Sequence, residues 1–399
     1  MSHPRVLAIE GGEPIRSAPW PQSHAVDASD EDALIAALRS TVWSAGAETK
    51  NFEREFAEFC GAKYCLLVEN GSTALKLALL AAGIGDGDEV VVPGMTWPSV
   101  AGSVLECRAV PVLVDVDLET FAIDPKLIEV ALTDRTKALV PTHLFSSQAD
   151  LPPIIQVATE RSLQIIEDCA HVPGAKRFGR SLGTFGRAAI FSFNQKKLLA
   201  CGEGGCLITD DLALFEIAAA LRDFESAPKG FVPGTHTVSE FQAAVLRSQL
   251  KKLPGRLELM EERAERLRSN LLSGGRVSPL ARLPGTNRQT FYNFCFRVEG
   301  VADITGFRRA VAAEVNLPMA GGYRPLNEVP VLDTENDRRF KGVSSGLSTD
   351  LPKCRIAHYQ QAVRFRHNAL MADESAIDDI ARAIEKVLES ARFKTPPVI

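Results

Sequence analysis

Residues 64–81 read YCLLVENGSTALKLALLA, and the order of events in this stretch decides the fold. Positions 64–68 form a short apolar run of the kind that makes a buried strand, and Asn70-Gly71 ends it. From Thr73 to Ala81 the apolar residues recur at helical spacing. A strand that turns directly into a helix is the first half of a βαβ unit, and the rest of the chain repeats it. Further β-rich runs occupy 89–92, 110–115, 138–142, 164–167, 188–193 and 205–209, with helical spacing at 97–106 and 125–131 between them. This alternation predicts an α/β fold with a mostly parallel seven-stranded sheet flanked by helices. In such a sheet ligands gather outside the carboxyl ends of the strands.

Upstream, Leu34, Ile35 and Leu38, then Phe52, Phe56 and Phe59, predict two helices joined through Ser44-Ala45-Gly46. Downstream of Asp211 the pattern becomes helical, with a long helix expected over 239–272 and a break near Pro254-Gly255. Residues 290–298 alternate like a strand, 304–315 and 375–388 have helical spacing, and the segment between is rich in proline and glycine. A chain of 399 residues exceeds the roughly 250–300 at which one core stops growing. The expected division is an N-terminal arm and large α/β domain over 1–255 and a smaller α+β domain over 256–399.

Apolar residues make up 45% and charged residues 24%, which is ordinary globular usage and argues against a disordered chain. A net charge of −5 leaves no electrostatic footprint for nucleic acid or anionic lipid. Arg263, Arg266 and Arg268 alternate with Glu258, Glu261, Glu262 and Glu265, the pattern of a solvated helix face. Eight scattered cysteines without a C-x-x-C pair read as reduced thiols, and no run of about 18 apolar residues occurs. These features predict a cytoplasmic protein with no membrane or nucleic-acid partner.

Four segments carry chemistry once placed at strand ends. Asn70-Gly71-Ser72-Thr73 opens a helix whose N–H groups suit a phosphate, although taken alone an ordinary helix cap is the plainer reading. Asp168 ends an apolar run (Ile165-Ile166-Glu167-Asp168-Cys169-Ala170-His171), where a buried carboxylate needs a cation; a helix cap is the plainer alternative. Phe191-Ser192-Phe193-Asn194-Gln195-Lys196-Lys197 brings a lysine among apolar groups, where it loses its proton more easily and becomes a nucleophile; a surface lysine pair is the alternative. Trp97 either stacks on an aromatic ligand or fills core. Together the four fit pyridoxal 5′-phosphate (PLP), which needs a phosphate anchor, a carboxylate for its ring nitrogen, an aromatic face and an amine for its aldehyde. No metal is assigned.

At these residues the chain resembles the DegT/DnrJ/EryC1/StrS family of sugar aminotransferases. The motifs are Gly-Ser-Thr-Ala-Leu (71–75), Gly-Asp-Glu-Val (87–90), Val-Asp-Val-Asp (114–117), Thr-His-Leu-Phe (142–145), Glu-Asp-Cys-Ala-His (167–171), Phe-Ser-Phe (191–193), Gly-Glu-Gly-Gly (202–205) and Ser-Glu-Phe-Gln-Ala-Ala (239–244). Phe-Ser-Phe with Gly-Glu-Gly-Gly is most similar to the branch of aminocyclitol aminotransferases and aminohydroxybenzoate synthases. The resemblance implies a fold-type I PLP-dependent transferase, working as a homodimer in amino-sugar or secondary-metabolite biosynthesis. It would move an amino group from glutamine or glutamate to a keto sugar or cyclitol ketone.

By position, the resemblance implies Lys197 as the Schiff-base lysine and acid/base, Asp168 on the pyridine nitrogen and His171 at the phenolic oxygen. Ser72, Thr73 and Ser192 would hold phosphate, and Trp97 would stack on the ring. Thr235 stands where the family has an asparagine that reaches the partner's phosphate, and Asn327 stands where it has a histidine, which implies an altered substrate pocket. These departures leave elimination, dehydration or another carbanion reaction on the same scaffold as an alternative, and a non-catalytic PLP-fold partner subunit as a further one, which the presence of both Lys197 and Asp168 weighs against.

Overall fold

The computed structural model describes residues 6–224, 232–272, 275–334, 337–340, 342–343 and 345–393. Its central sheet contains β1 (Tyr64–Val68), β2 (Glu89–Pro93), β3 (Val110–Val114), β4 (Thr136–Leu139), β5 (Gln164–Asp168), β8 (Ala188–Ser192) and β9 (Gly205–Thr209). Two short strands, β6 (Lys176–Arg177) and β7 (Arg180–Ser181), lie in the connection before β8. The strand order is β1-β9-β8-β5-β4-β2-β3. Pairing is parallel from β8 through β5, β4 and β2 to β3, whereas β9 runs antiparallel to both β1 and β8. The sheet is therefore mostly parallel, as the sequence predicts, with β9 alone reversed. The reason is local: β8 and β9 are joined directly by residues 193–204, with no helical crossover.

Both faces of the sheet are buried, and the two-residue period of a strand sorts side chains between them. On β8, Ala189 and Phe191 join one core with Phe52 and Phe56 of α2 (Ala47–Cys60), with α1 (Ala28–Arg39) preceding it in the chain. Ala188 and Ile190 join a second core with Ala74 and Leu77 of α3 (Gly71–Ala81), Val104 of α4 (Ser99–Glu106) and Leu214 of α7 (Leu212–Arg222). Helices α5 (Pro125–Ala131) and α6 (Leu151–Glu160) place Ile128 and Ile154 in a third cluster with Val91 and Leu139.

Helix α8 (Glu240–Leu272) corrects one expectation: it continues through Pro254 instead of breaking there. Leu246, Leu250, Leu253, Leu257, Met260, Ala264, Leu267 and Leu271 form one buried stripe that continues across the proline. Arg256 also donates from Nη2 to the Gln249 carbonyl at 3.1 Å, one residue before the Leu250 carbonyl that Pro254 leaves without its helical N–H. At its other end α8 supplies Glu240, whose carboxylate accepts the Glu48 and Thr49 N–H groups at 2.7 and 3.1 Å. Glu240 thus caps α2, whose own N-cap, Gly46, offers no side chain. A Cβ on Gly46 would lie 2.5 Å from Glu240 Oε2, so a larger residue there would have to push the capping carboxylate aside.

The C-terminal part holds β10 (Val277–Pro279), β11 (Thr286–Arg288), β12 (Asn293–Val298) and β13 (Ala362–Arg366). Strands β10, β12 and β13 form an antiparallel sheet packed with α8, α9 (Ile304–Val315) and α11 (Glu374–Glu389), and α10 (Pro352–Ile356) precedes β13. β12 and both long helices match the sequence expectation; β13 was not anticipated. Among the described residues, no helix is long and apolar enough to cross a membrane.

Candidate active site

The carboxyl ends of β1, β2, β4, β5 and β8 converge on one cavity of about 340 Å³, lined by Ser72, Trp97, Thr142, Asp168, His171, Ser192 and Lys197 among others. Lys197 lies in the 193–204 connection, the place where the chain reverses without a crossover. Phe193 anchors that connection, packing edge-on against Phe52 and Phe56 with centroids 5.4 and 5.3 Å away. The Lys197 N–H bonds to the Asn194 carbonyl at 2.8 Å, and the Gln195 N–H to the Gly202 carbonyl at 2.7 Å, which folds the segment into a tight loop. From the N-terminal arm, His24 Nε2 meets the Gln195 carbonyl at 2.7 Å.

Burial pulls the Lys197 ammonium down to about 8, against the opposing attraction of Asp168. Its Nζ sits 4.6 Å from the Tyr292 ring centroid. Burial likewise pushes the Asp168 carboxyl up, because its partners are few: the Ala170 N–H at 3.0 Å on Oδ1 and the Thr142 hydroxyl at 3.3 Å on Oδ2. His171 is buried and held well below the usual imidazole range by desolvation, then by Lys197 and Arg364. Its Nδ1 accepts the Phe145 N–H at 3.1 Å, so the proton resides on Nε2 as a donor. Tyr292 stacks on the imidazole at 4.0 Å between centroids.

At the opposite wall α3 begins. Asn70 caps it by accepting the Thr73 N–H at 2.8 Å, while the Gly71 and Ser72 N–H groups have no acceptor among the described residues. Gly205 of β9 lets this turn approach the sheet: a Cβ there would sit 2.4 Å from Asn70 and Gly71 backbone atoms. Three residues singled out in the sequence do not line the cavity. The Thr73 hydroxyl turns away to donate to Glu69 Oε1 at 2.8 Å, so it buttresses the turn from behind. Thr235 is exposed and does not line the cavity within this chain. Asn327 also lies outside the wall, bonding to the Thr349 carbonyl at 2.8 Å. Trp97 is 57% exposed at the cavity edge, with its ring set edge-on to Tyr323.

The residues present fit PLP. Two free N–H groups at a helix start, with the Ser72 and Ser192 hydroxyls beside them, suit a phosphate. A buried carboxylate with no contacting cation suits a protonated ring nitrogen, and an imidazole N–H suits a phenolate oxygen. Sequence reasoning missed Tyr292, Tyr323, Arg364 and Arg366 as cavity residues. A signal was there: Ala-Val-Arg-Phe-Arg at 362–366 alternates like a strand with a cationic face.

Fold and cavity together define an α/β enzyme with a buried, easily deprotonated lysine facing an acid across a ligand-sized space. The chain belongs to the DegT/DnrJ/EryC1/StrS aminotransferase family, whose model matches residues 24–343, and it is an aminotransferase. It is 37% identical to the L-glutamine:scyllo-inosose aminotransferase of Streptomyces griseus, over 97% of this chain and 98% of the relative. It is 38% identical to the L-glutamine:2-deoxy-scyllo-inosose aminotransferase of Micromonospora echinospora, over 97% and 99%. The crystal structure of 3-amino-5-hydroxybenzoic acid synthase superposes with a TM-score of 0.82 at 29% identity, covering 94% of this chain and 99% of that one. Both sides of the expected branch, aminocyclitol aminotransferase and aminohydroxybenzoate synthase, are thus among its relatives.

Proposed function

We propose that this chain uses PLP, held by Lys197, to move the amino group of L-glutamine to a cyclitol ketone, the donor and acceptor class that its relatives' names carry. The observation that supports this most is Lys197 itself: a buried amine lowered to about 8, facing a buried carboxylate with no contacting cation. When bound, PLP supplies an aldehyde carbon that condenses with amines and a ring that withdraws electron density. Lys197 Nζ would hold the cofactor at its aldehyde and would serve as the base and acid that moves the donor's α-proton. A pKa near 8 keeps both of its forms populated near neutrality, as acid/base work requires. Asp168 would hold the ring nitrogen's proton, and His171 Nε2 would donate to the phenolic oxygen. Gly71, Ser72 and Ser192 would hold the phosphate, with Thr73 fixing their turn, and Trp97 would cover the ring.

A homodimer completes this reading, with Thr235 reaching the partner's phosphate. Leu34, Ile35, Leu38, Val42 and Trp43 all stay exposed along one short stretch of chain, which suits a covered face. The division into domains 1–255 and 256–399 remains part of the proposal, with α8 spanning the junction. All eight cysteines are free thiols, which suits the cytoplasm. Asn327 does not line the cavity, so it does not favour elimination over transamination.

The test is a half-reaction. L-glutamine alone should convert the bound cofactor to pyridoxamine phosphate, which an inosose then reconverts. Turnover of an inosose without any aminated cofactor contradicts the proposal, and sedimentation of a fully active monomer contradicts the shared site.

A further inference from the structure

Four cationic side chains line the cavity, Lys196, Lys197, Arg364 and Arg366, against two carboxylates, Asp168 and Glu203. The cofactor reading uses Lys197 and Asp168 and leaves Arg364 without a task. This guanidinium is firmly held. Its Nε donates to the Gly321 carbonyl at 2.7 Å and its Nη1 to Asn293 Oδ1 at 3.2 Å, while its plane lies over Phe145 and Tyr323, 5.0 and 5.3 Å from the ring centroids. Two of the five N–H donors of an arginine are thereby used. Nη2 keeps both of its own, and no carboxylate pairs with Arg364 among the described residues. The strand bearing it is fixed in turn: Arg308 donates to the Ala362 carbonyl at 2.7 Å and the His358 carbonyl at 2.9 Å at the start of β13.

A half-buried guanidinium that is rigid and lacks an anion is prepared for one, and a planar fork matches a carboxylate best. Its contacts are with Phe145, Tyr323, Asn293 and Gly321, none of them a residue of the α3 turn, so the phosphate anchor does not claim it. Of the two substrates, a cyclitol ketone offers hydroxyls and a carbonyl but no anion, whereas an α-amino acid carries a carboxylate beside the amine that must reach the Lys197 position. We infer that Arg364 recognises the α-carboxylate of the amino-acid donor, and so selects the donor and leaves the acceptor to other groups. This rests on the aminotransferase reading of the same cavity.

The experiment uses the PLP-loaded protein and Arg364→Gln, with Arg364→Lys as a variant that keeps the charge. Loss of a charge-assisted contact should raise the KM for L-glutamine roughly 10- to 100-fold, with kcat changed less. The lysine variant should recover part of that loss. Loaded with pyridoxamine phosphate instead, both variants should aminate the inosose within about threefold of the parent, a range well below one charged hydrogen bond. Calorimetry with α-methyl-L-glutamine, which has no α-proton to lose, should show a matching weakening, and its α-carboxamide should bind both proteins alike. Equal losses in the two half-reactions, or an unmoved KM and affinity for the carboxylate ligand, overturn the assignment. Failure of the parent protein to aminate its cofactor with any amino acid counts against the aminotransferase chemistry instead, and the calorimetric comparison then decides Arg364 alone.

Discussion

Two sets of acid and amine in this chain sit in opposite electrostatic states. Where α1 meets α8, Lys252 Nζ lies 2.7 Å from carboxylate oxygens of both Asp27 and Asp30. Burial alone would raise Asp30, but Lys252, Ser248 and the Asp27 N–H outweigh it and hold the acid down to about 2. The same contacts overcome desolvation to lift Lys252 above its ordinary value. In the cavity the chemistry is the same but the contacts are missing: Lys197 falls to about 8 and Asp168 rises, because burial acts with little to oppose it. Paired ions secure structure, whereas buried ions left apart await a ligand that supplies their partners.

The contrast is sharpest on removing Lys197. Lys197→Ala should lower amino transfer by at least about a thousandfold and abolish the visible absorbance of bound cofactor, with a normal denaturation midpoint. Asp168→Asn should cost roughly a hundred- to a thousandfold in the glutamine half-reaction, because the amide cannot keep a ring nitrogen protonated; an unimpaired half-reaction contradicts its role.

The pH dependence follows from the lowered amine. The neutral, nucleophilic form of Lys197 appears as pH rises through about 8, so the rate at which the cofactor-free chain captures PLP should climb through that pH and level off above it. A climb that continues to the ordinary lysine range means the amine is solvated. The linkage has the same sign: between about 8 and the ordinary 10.5 the unfolded chain binds the extra proton, so the cofactor-free fold gains stability as pH rises through that window.

The smallest effect belongs to the paired set. Asp30→Asn should reduce stability by roughly 1–2 kcal/mol in urea denaturation and leave kcat unchanged. Because Asp30 is held below its unfolded value of 3.8, its contribution is full above that pH and should fade as pH drops toward 2.

The same contrast explains what was legible in the sequence. The seven strands of the main sheet are short apolar runs bounded by turns, and every one formed within a few residues of its expected place. Lys197, Asp168, Ser72 and Trp97 stand out in the sequence because they follow predicted strands, His171 and Ser192 enter only through the family resemblance, and all six line one cavity because the α/β topology gathers strand ends there. Thr73 was placed in the right turn, but which way its hydroxyl faces depends on Glu69, a contact that spacing does not reveal. β13 was missed because two arginines in five residues look like surface, yet they face the cavity. Pro254 looked like a helix end because a proline weakens a helix locally, whereas the buried stripe on α8 is a tertiary effect.

The most direct test of Lys197 is covalent. Reducing the PLP-loaded protein with borohydride and mapping its peptides by mass spectrometry should place the phosphopyridoxyl mass on Lys197 and leave its neighbour Lys196 unmodified. A label on Lys196, or spread over surface lysines with none at 197, contradicts the account.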